Sequence, residues 1–346
     1  KSTRAPVSTC RVPRKTERAL APADIAPVAW RPSASLSALR RRADLAGTVR
    51  AYFSAAGVLE VHTPVMMPWA SCDPALHSFS ARPTGNGAGP RGYLQTSPEF
   101  AMKRLLAAGS GDIYQLGPAF RAEEAGRHHL AEFTMLEWYR VGFDQHALMD
   151  DVESVVRLAL PALEFERRSY AELFHARYGV NPHTAESATL ATLARDAGLE
   201  LGALQADRVA LLDGLFADSL LRDDRSGQAL FVYDFPREQA AYARINEGPP
   251  AVAERFELIV GGLEIANGYC ELTDGDEQAA RMHAENARRA ALGLPVVDVD
   301  PCLLAALAAG LPACAGVALG FDRLVMLATG KSRIAEVTSF TGTAFD

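Results

Sequence analysis

The first regular pattern of apolar residues along the chain has the spacing of a helix and covers residues 36–56. Leu45 and Phe53 belong to a series that recurs at helical intervals, which places its members on one helix face. Gly57 follows, and a glycine is well suited to end a helix. Residues 58–64 are rich in apolar and β-branched positions and stop at a proline. The pattern therefore predicts a helix followed closely by a strand.

The rest of the chain combines β-rich runs with longer helical patterns. Residues 113–120 and 133–141 are β-rich and flank a charged segment, which is typical of a long hairpin. Further strands are predicted at residues 231–235, 256–263, 269–272 and the first part of 316–328, and helices at residues 144–160, 181–221, 281–292 and the second part of 316–328. Because several strands join as hairpins, the pattern predicts an α+β fold, an antiparallel β-sheet flanked by helices.

Residues 1–30 differ from the rest of the chain. They contain several arginines, lysines and prolines and no periodic apolar positions, and this predicts a disordered basic tail. A transit peptide is the alternative, because an acid-poor, arginine-containing start also fits one. We expect residues 31–346 to form one domain, within which the Ala- and Leu-rich residues 181–225 form a helical insertion.

The composition narrows the class of protein. No apolar run approaches the roughly 20 residues that a membrane span needs, so we expect no membrane association. The five cysteines are scattered and form no CxxC pair, which favours the reducing cytoplasm over a disulfide framework. The net charge of −7 argues weakly against binding nucleic acid, because a protein that is acidic as a whole can still carry a local stripe of basic residues.

One predicted strand carries polar groups on an apolar face. Along residues 132–139 the side chains alternate between the two faces, which puts Phe133, Met135, Glu137 and Tyr139 on the same side. A pocket floor with two selected polar groups explains this better than a solvent-exposed hairpin, which is the alternative.

Two acids interrupt other apolar strands. Buried carboxylates such as Glu257 and Glu264 are costly unless they are paired or bind a metal, and their hard oxygen ligands suit Mg²⁺, which usually arrives with the phosphates of a nucleotide. Taken alone, acids on an exposed edge strand explain them equally well. Residues 316–324 add a glycine-rich turn from strand to helix, where the backbone can approach a ligand closely.

The order of these pieces resembles a known family. The unit that ends at Pro64, the hairpin with Phe120-Arg121-Ala122-Glu123, and the segment Gly320-Phe321-Asp322-Arg323 resemble motifs 1, 2 and 3 of class II aminoacyl-tRNA synthetases. The resemblance implies the class II catalytic fold.

Other segments narrow the resemblance within that family. Residues 96–99, 132–137 and 264–271 are similar to the lysyl subclass. Residues 30–35 and 102–106 are similar to truncated lysyl-synthetase paralogues that attach lysine to elongation factor P. These paralogues have no anticodon-binding domain, and we expect none here.

The resemblance implies a nucleotide site. Its ATP-binding residues are Arg121, Glu123, His129, Phe133, Glu264, Ile265, Gly320 and Arg323, with Arg121 and Arg323 as the catalytic residues and Glu257 and Glu264 as the Mg²⁺ ligands. Arg121 is expected to grip the α-phosphate and the amino-acid carboxylate, since a guanidinium stays charged and offers a planar fork of donors. Glu123 is expected to bind the adenine amino group, and Phe133 and Arg323 to sandwich the adenine ring.

The resemblance also implies an amino-acid pocket beneath the nucleotide. Its substrate-binding residues are Ser97, Glu99, Glu137, Tyr139, Asn267, Glu271 and Ala318. Glu99 and Glu137 are expected to bind the α-ammonium group, Asn267 the carboxylate, and Tyr139 with Glu271 the side-chain ammonium group. Several carboxylates in one pocket suit a substrate with two positive amines, which favours lysine over aspartate or asparagine.

The function that the resemblance implies is a ligase reaction. A homodimer activates (R)-β-lysine or lysine with ATP as an aminoacyl-adenylate and transfers it to a lysine side chain of elongation factor P. One alternative is a minimal lysyl-tRNA synthetase, although tRNA is not the expected partner. The other is a degenerate paralogue that binds lysine without catalysis.

Two departures from the family pattern bear on this function. Ala318 replaces the glycine usual in lysyl-tRNA synthetases, as it does in the lysylating paralogues, and its methyl group is expected to favour the β-amino isomer of lysine. Leu130-Ala131 replaces Asn-Pro, and the asparagine is a nucleotide contact in the family. Losing such a hydrogen bond costs roughly 0.5–1.5 kcal/mol, so we expect weaker ATP binding and not inactivity.

Overall fold

The structure is a computed structural model that describes residues 31–83, 91–122, 126–200, 202, 204, 207–221 and 228–341. The chain divides into the units Lys1–Pro32 and Ser33–Asp346. The predicted tail, residues 1–30, lies outside the described residues, and so do residues 222–225 of the predicted insertion. The description below concerns the second unit.

The described residues contain both helices and strands. The helices are α1 (Leu36–Ala55), α2 (Glu99–Ala107), α3 (Gln145–Ala159), α4 (Tyr170–Tyr178), α5 (Ser187–Asp196), α6 (Arg208–Leu221), α7 (Gly275–Ala291), α8 (Pro301–Gly310) and α9 (Phe321–Ala328). The strands are β1 (Leu59–Glu60), β2 (Met66–Met67), β3 (Ser80–Ala81), β4 (Gly92–Leu94), β5 (Ile113–Phe120), β6 (Glu132–Val141), β7 (Glu164–Ser169), β8 (Gln228–Pro236), β9 (Ile245–Asn246), β10 (Val252–Val260), β11 (Leu263–Cys270) and β12 (Cys314–Gly320).

A nine-stranded sheet organises the molecule. Its strand order is β1-β5-β6-β12-β11-β10-β8-β7, and β9 pairs with β10. The five inner pairs are antiparallel, whereas the outer pairs β1–β5 and β7–β8 are parallel. The predicted α+β fold is confirmed. A small second sheet, in the order β2-β4-β3, lies apart from the first.

One face of the large sheet is covered by α1, α3 and α9. Phe53 of α1 stacks on Tyr114 of β5 with ring centroids 4.4 Å apart, and its ring meets Trp138 of β6 edge-on. Trp138 and Leu136 belong to the same buried cluster as Val317 and Leu319 of β12. Because strand side chains alternate, the other residues of β6 and β12 point to the opposite face, where the functional site lies.

The helices that the sequence pattern predicts are largely present. Helix α1 ends before Gly57, whose φ of +71° is the left-handed conformation that glycine adopts readily. Asp144 caps α3 by accepting a hydrogen bond from the backbone N–H of Ala147. Helix α7 begins at Gly275, six residues earlier than predicted, because Asp274 caps it. The described helices include none that is long and apolar enough to cross a membrane.

The predicted strand at residues 58–64 is wrong in its extent, since only Leu59–Glu60 is a strand. Val61 still donates a backbone hydrogen bond to Tyr114, but the N–H of Thr63 bonds the side chain of Gln115 instead of a strand backbone. Helix α2 and the β7–α4 segment were not predicted. The apolar pattern of such short elements does not separate them from loops.

Within the predicted insertion, residues 181–225, α5 and α6 form a helical pair. They pack with α4 against β8 in a second hydrophobic cluster that includes Tyr170, Leu190, Leu215 and Phe235. Arg208 at the start of α6 donates to the backbone oxygens of Pro182 and Ala185 and thereby ties the two helices together.

Candidate active site

A cleft of about 360 Å³ opens on the face of the sheet that α1, α3 and α9 leave uncovered. Strands β6, β12, β11 and β10 form its floor. Their register sets two rows of neighbouring residues across the floor, namely Glu137, Ala318, Asn267 and Glu257 in one row and Tyr139, Gly316, Tyr269 and Arg255 in the next. Residues far apart in the chain are therefore adjacent because the strands are in register.

The described site residues that the sequence analysis predicted all line this cleft. They are Ser97, Glu99, Arg121, His129, Phe133, Glu137, Tyr139, Glu257, Glu264, Ile265, Asn267, Glu271, Ala318, Gly320 and Arg323. Glu123 lies outside the described residues. The alternation predicted for β6 is confirmed, since Phe133, Met135, Glu137 and Tyr139 line the cleft together.

Glu137 lies at the buried end of the cleft, with 2 % of its surface exposed. Ser97 donates a hydrogen bond of 2.7 Å to one carboxylate oxygen, and the Tyr139 hydroxyl donates one of 2.9 Å to the other. Burial first, and then the nearby Glu99 carboxylate, raise the pKa of Glu137 to about 8 against the effect of these hydrogen bonds. A cation in the pocket would lower that pKa.

Lys103 of α2 stands between two of the predicted acids, and the sequence analysis did not single it out. Its Nζ lies 2.6 Å from a carboxylate oxygen of Glu99 and 2.6 Å from one of Glu271. Burial alone would lower the pKa of Lys103, but Glu271 and Glu99 raise it above the usual value. The pKa of Glu271 is raised to about 7 by burial, although Lys103 lowers it.

A second cation, Arg255, is partly buried and lies in the floor of the cleft. It donates to Glu257 and, over 3.3 Å, to the side-chain oxygen of Asn267. It also donates to the backbone oxygen of Gln239, whose side chain bonds Asp213 of α6 at 2.6 Å. Helix α6 of the predicted insertion is thereby joined through hydrogen bonds to the cleft floor.

Glu257 and Glu264 fit the donor set of a magnesium site. Burial first, and then the Glu264 carboxylate, raise the pKa of Glu257 to about 7, although Arg255 acts to lower it. A cation between the two carboxylates would offset the repulsion that raises the pKa of Glu257. No group of three or more His, Cys, Asp or Glu side chains that could hold a metal occurs among the described residues. Mg²⁺ usually takes only one or two carboxylates and completes its shell with phosphates and water.

The outer end of the cleft carries arginines and an aromatic ring. The guanidinium of Arg121 lies 5.3 Å from the centroid of the Phe133 ring. Arg323 donates to the backbone oxygen of Glu264 at 2.7 Å, and its other nitrogen lies 2.6 Å from Nε2 of His129. These planar groups and cations suit a ligand with an aromatic base and negative charge.

Asp322 joins the elements that carry this outer end. It is 1 % exposed, accepts a hydrogen bond of 2.7 Å from the backbone N–H of Thr134, and pairs with Arg42 of α1. Arg42 also donates to the Thr134 hydroxyl at 2.6 Å. This network fixes β6 against α9, and so positions Phe133 relative to Arg323.

Leu130 and Ala318, which depart from the family pattern, both line the cleft. Leu130 lines the cleft and packs against the main hydrophobic cluster. A Cβ atom at Gly316 would lie 2.2 Å from the ring of Tyr139 and 2.6 Å from Glu271, so a side chain does not fit there without displacing both. Two residues further along β12, the methyl group of Ala318 occupies the same face, beside Glu137 and Asn267.

The comparison with known proteins agrees with this geometry. A sequence profile of the family tRNA synthetases class II (D, K and N) matches residues 26–344. The chain belongs to this family.

Individual relatives of this class II synthetase chain carry a more specific name. A Vibrio cholerae protein named elongation factor P–(R)-beta-lysine ligase is 49% identical over 316 residues, which cover 90% of this chain and 97% of that protein. Proteins of the same name from Pseudoalteromonas translucida and Photorhabdus laumondii are 48% and 45% identical, again over 90% of this chain and 97% of theirs.

Proposed function

We propose that this class II synthetase chain uses ATP to activate (R)-β-lysine or lysine as an aminoacyl-adenylate and transfers it to a lysine side chain of elongation factor P. The observation that carries the proposal is a pocket with three carboxylates, Glu99, Glu137 and Glu271, beneath a cationic outer cleft. The choice of elongation factor P as the acceptor rests on the relatives, which are 45–49% identical to this chain and are named for that reaction. The matches cover 90% of this chain and 97% of each relative, which supports the same reaction in all of them.

In the first step a carboxylate oxygen of the amino acid attacks the α-phosphorus of ATP, and the bond from that phosphorus to the bridging oxygen of pyrophosphate breaks. The attacking carboxylate is already ionised, so positioning and charge neutralisation carry the step. Arg121 would hold both anions, and Asn267 would orient the carboxylate; both line the cleft, and Arg255 donates a hydrogen bond to Asn267. Phe133 and Arg323 would hold the adenine ring.

Glu257 and Glu264 would hold Mg²⁺ against the phosphates. The metal would supply positive charge to the leaving pyrophosphate. The pKa of Glu257, raised by burial and by Glu264, supports this assignment, because a cation would relieve both effects.

In the second step the acceptor amine attacks the activated carbonyl, the bond to AMP breaks, and an amide forms as the amine loses a proton. A free lysine has a pKa near 10.4, so only about 0.1% or less is nucleophilic at neutral pH. The acceptor lysine must therefore lose its proton as it docks. We expect a homodimer to carry out this reaction in the cytoplasm.

The acceptor is tested by the intact mass of elongation factor P after incubation with this protein, ATP, Mg²⁺ and either α-lysine or (R)-β-lysine. A gain of one lysyl unit, faster with the β isomer, is the expected result. Pyrophosphate exchange without a gain in the mass of elongation factor P would point to tRNA or another amine as the acceptor. Attachment of lysine to tRNA is the direct assay of the alternative function, that of a minimal lysyl-tRNA synthetase. The absence of both would favour a binding protein without catalysis.

The isomer preference is tested by Ala318→Gly. The methyl group of Ala318 lies between Glu137 and Asn267 in the floor, where it narrows the pocket at the predicted position of the α-ammonium and carboxylate groups. Removing it is expected to shift the ratio of kcat/KM values toward α-lysine by roughly tenfold, the effect of one methylene-sized contact. An unchanged ratio would contradict the role of Ala318.

A further inference from the structure

Lys103 is a buried cation to which the proposed reaction gives no role. It comes from the second turn of α2, and 1 % of its surface is exposed. Its Nζ makes ion pairs of 2.6 Å with both Glu99 and Glu271 and lies 5.1 Å from the centroid of the Tyr242 ring. A flexible lysine is rarely buried so completely, and a position of this kind indicates a specific electrostatic task.

The charges around Lys103 define that task. Glu99, Glu137 and Glu271 face one another closely enough that Glu99 raises the pKa of both other acids. With these acids ionised, one lysine against three carboxylates leaves two negative charges. A diamino acid brings two ammonium groups, so it completes the neutralisation of the pocket. An amino acid with a single ammonium group would leave one carboxylate buried without a partner.

Without the lysine, the same acids would not stay ionised. Neighbouring buried carboxylates share protons, since two like charges in a low dielectric are costly. The pKa of Glu271, which Lys103 lowers, would then be higher, and a protonated Glu271 would no longer attract an ammonium group. The lysine also separates the two acids in space, because it binds Glu99 on α2 through one contact and Glu271 beyond the end of β11 through the other.

We propose that Lys103 is a positioning residue that keeps Glu271 ionised and holds it apart from Glu99, so that the amino-acid pocket offers carboxylates to two separate ammonium groups of its substrate. The inference rests on the proposed function and deepens it. It makes the selection of a diamino acid depend on a lysine of the protein itself, and not on the acids alone.

The test compares Lys103→Met and Lys103→Gln with the unmodified protein by lysine-dependent pyrophosphate exchange. At neutral pH the KM for lysine is expected to rise by at least about tenfold, the effect of losing a hydrogen bond to a charged group. The KM for ATP should stay within about twofold, because ATP binds at the outer end of the cleft. Lys331→Met is the matched control, since Lys331 is half-exposed and forms a surface ion pair with Glu336.

The dependence on pH separates positioning from a structural role. Raising the pH from about 6.5 to about 8.5 should ionise the acids that lost their partner, so the deficit in the KM for lysine should shrink over this range. Lys103→Arg retains the charge and should keep the KM for lysine close to that of the unmodified protein. Thermal melting of each variant establishes which of them are folded.

Three results would overturn the inference. One is an unchanged KM for lysine in a folded Lys103→Met or Lys103→Gln variant. Another is a fall in kcat alone at every pH, which a smaller fraction of active enzyme would produce. The third is a KM in folded Lys103→Arg as high as in the neutral variants. If the unmodified protein shows no lysine-dependent exchange at all, the proposed function fails, and the variants are then compared by calorimetric binding of lysine, where the same outcomes apply.

Discussion

The two ends of the cleft differ in the burial and the sign of their charged side chains. At the inner end, Glu137, Glu271 and Lys103 are each at most 3 % exposed, and opposite charges are paired in the protein. At the outer end, Arg121 and Arg323 are half-buried and lie against the Phe133 ring and a histidine. The inner end has an excess of negative charge, and the outer end has cations.

The difference follows from what each ligand brings. A small diamino acid must lose its hydration, so its ammonium groups need carboxylates that are already oriented, and buried carboxylates are stable only with partners. A nucleotide carries its charge on phosphates that remain partly hydrated, so half-buried arginines suffice to bind it. Selectivity is therefore expected from the inner end and charge neutralisation from the outer end.

The largest effect is expected from removing Arg121 at the outer end. Arg121→Ala takes away the cation placed to hold both reacting anions, and the rate of pyrophosphate exchange should fall by about 10²–10³-fold, as it does when a charge-stabilising donor is lost. The KM for lysine should rise by much less than the rate falls, because Asn267 still binds the amino-acid carboxylate and the carboxylates that bind the ammonium groups are untouched. Arg157→Ala, at an exposed position where Arg157 pairs with Glu153, is the control. A fall in lysine affinity as large as the fall in rate would mean that the two ends do not act separately.

The next effect concerns pH and the inner end. The pKa of Glu137 is raised to about 8, first by burial and then by Glu99. Below this value the free protein holds a proton on Glu137, which an incoming ammonium group must displace. Lysine affinity should therefore rise as the pH increases toward 8, by at most about tenfold per pH unit for one proton. The other charged groups that face Glu137 are Glu271 and, beyond it, Lys103.

Proton release on lysine binding, measured by calorimetry in buffers of different ionisation enthalpy, checks this prediction. Glu137→Gln should abolish much of the release and raise the KM for lysine. The sign for folding is opposite, since a carboxyl whose pKa is raised in the folded state stabilises it at low pH. That contribution is lost as the pH rises from about 4.3 through about 8. An affinity that stays constant across this range would contradict the assignment of Glu137.

How far the sequence predicts the site depends on the kind of signal. The alternation in β6 placed Glu137 and Tyr139 on one face correctly, because a strand has a strict period of two residues. The acids on β10 and β11 stood out because they interrupt apolar runs. These signals are local, and the register of the sheet then brings their residues together.

Lys103 and Arg255 lacked such a signal. A lysine four residues after a glutamate on a helix is typical of an exposed ion pair, and only the end of β11, with Glu271, turns that position into a buried one. The position of Arg255 likewise depends on residues distant in the chain. Arg255 donates a hydrogen bond to the backbone oxygen of Gln239, whose side chain bonds Asp213. The sequence predicted the acids of the site, but the cations that balance them depend on tertiary packing.

The smallest effect is expected at Leu130. A substitution there tests whether ATP binding at the outer end is independent of lysine binding at the inner end. Leu130 lines the cleft next to His129 and packs against the hydrophobic core, so it contributes to stability but offers no hydrogen bond to a nucleotide. Leu130→Asn should lower the KM for ATP by roughly two- to tenfold, the value of one hydrogen bond, and lower the melting temperature because apolar contacts are lost. The KM for lysine should not move, since Glu99, Glu137 and Glu271 are untouched. A change in lysine affinity equal to the change in ATP affinity would mean that binding at the outer end is coupled to the carboxylate pocket. The proposal that the two ends bind ATP and lysine independently would then have to be replaced by a single cooperative site.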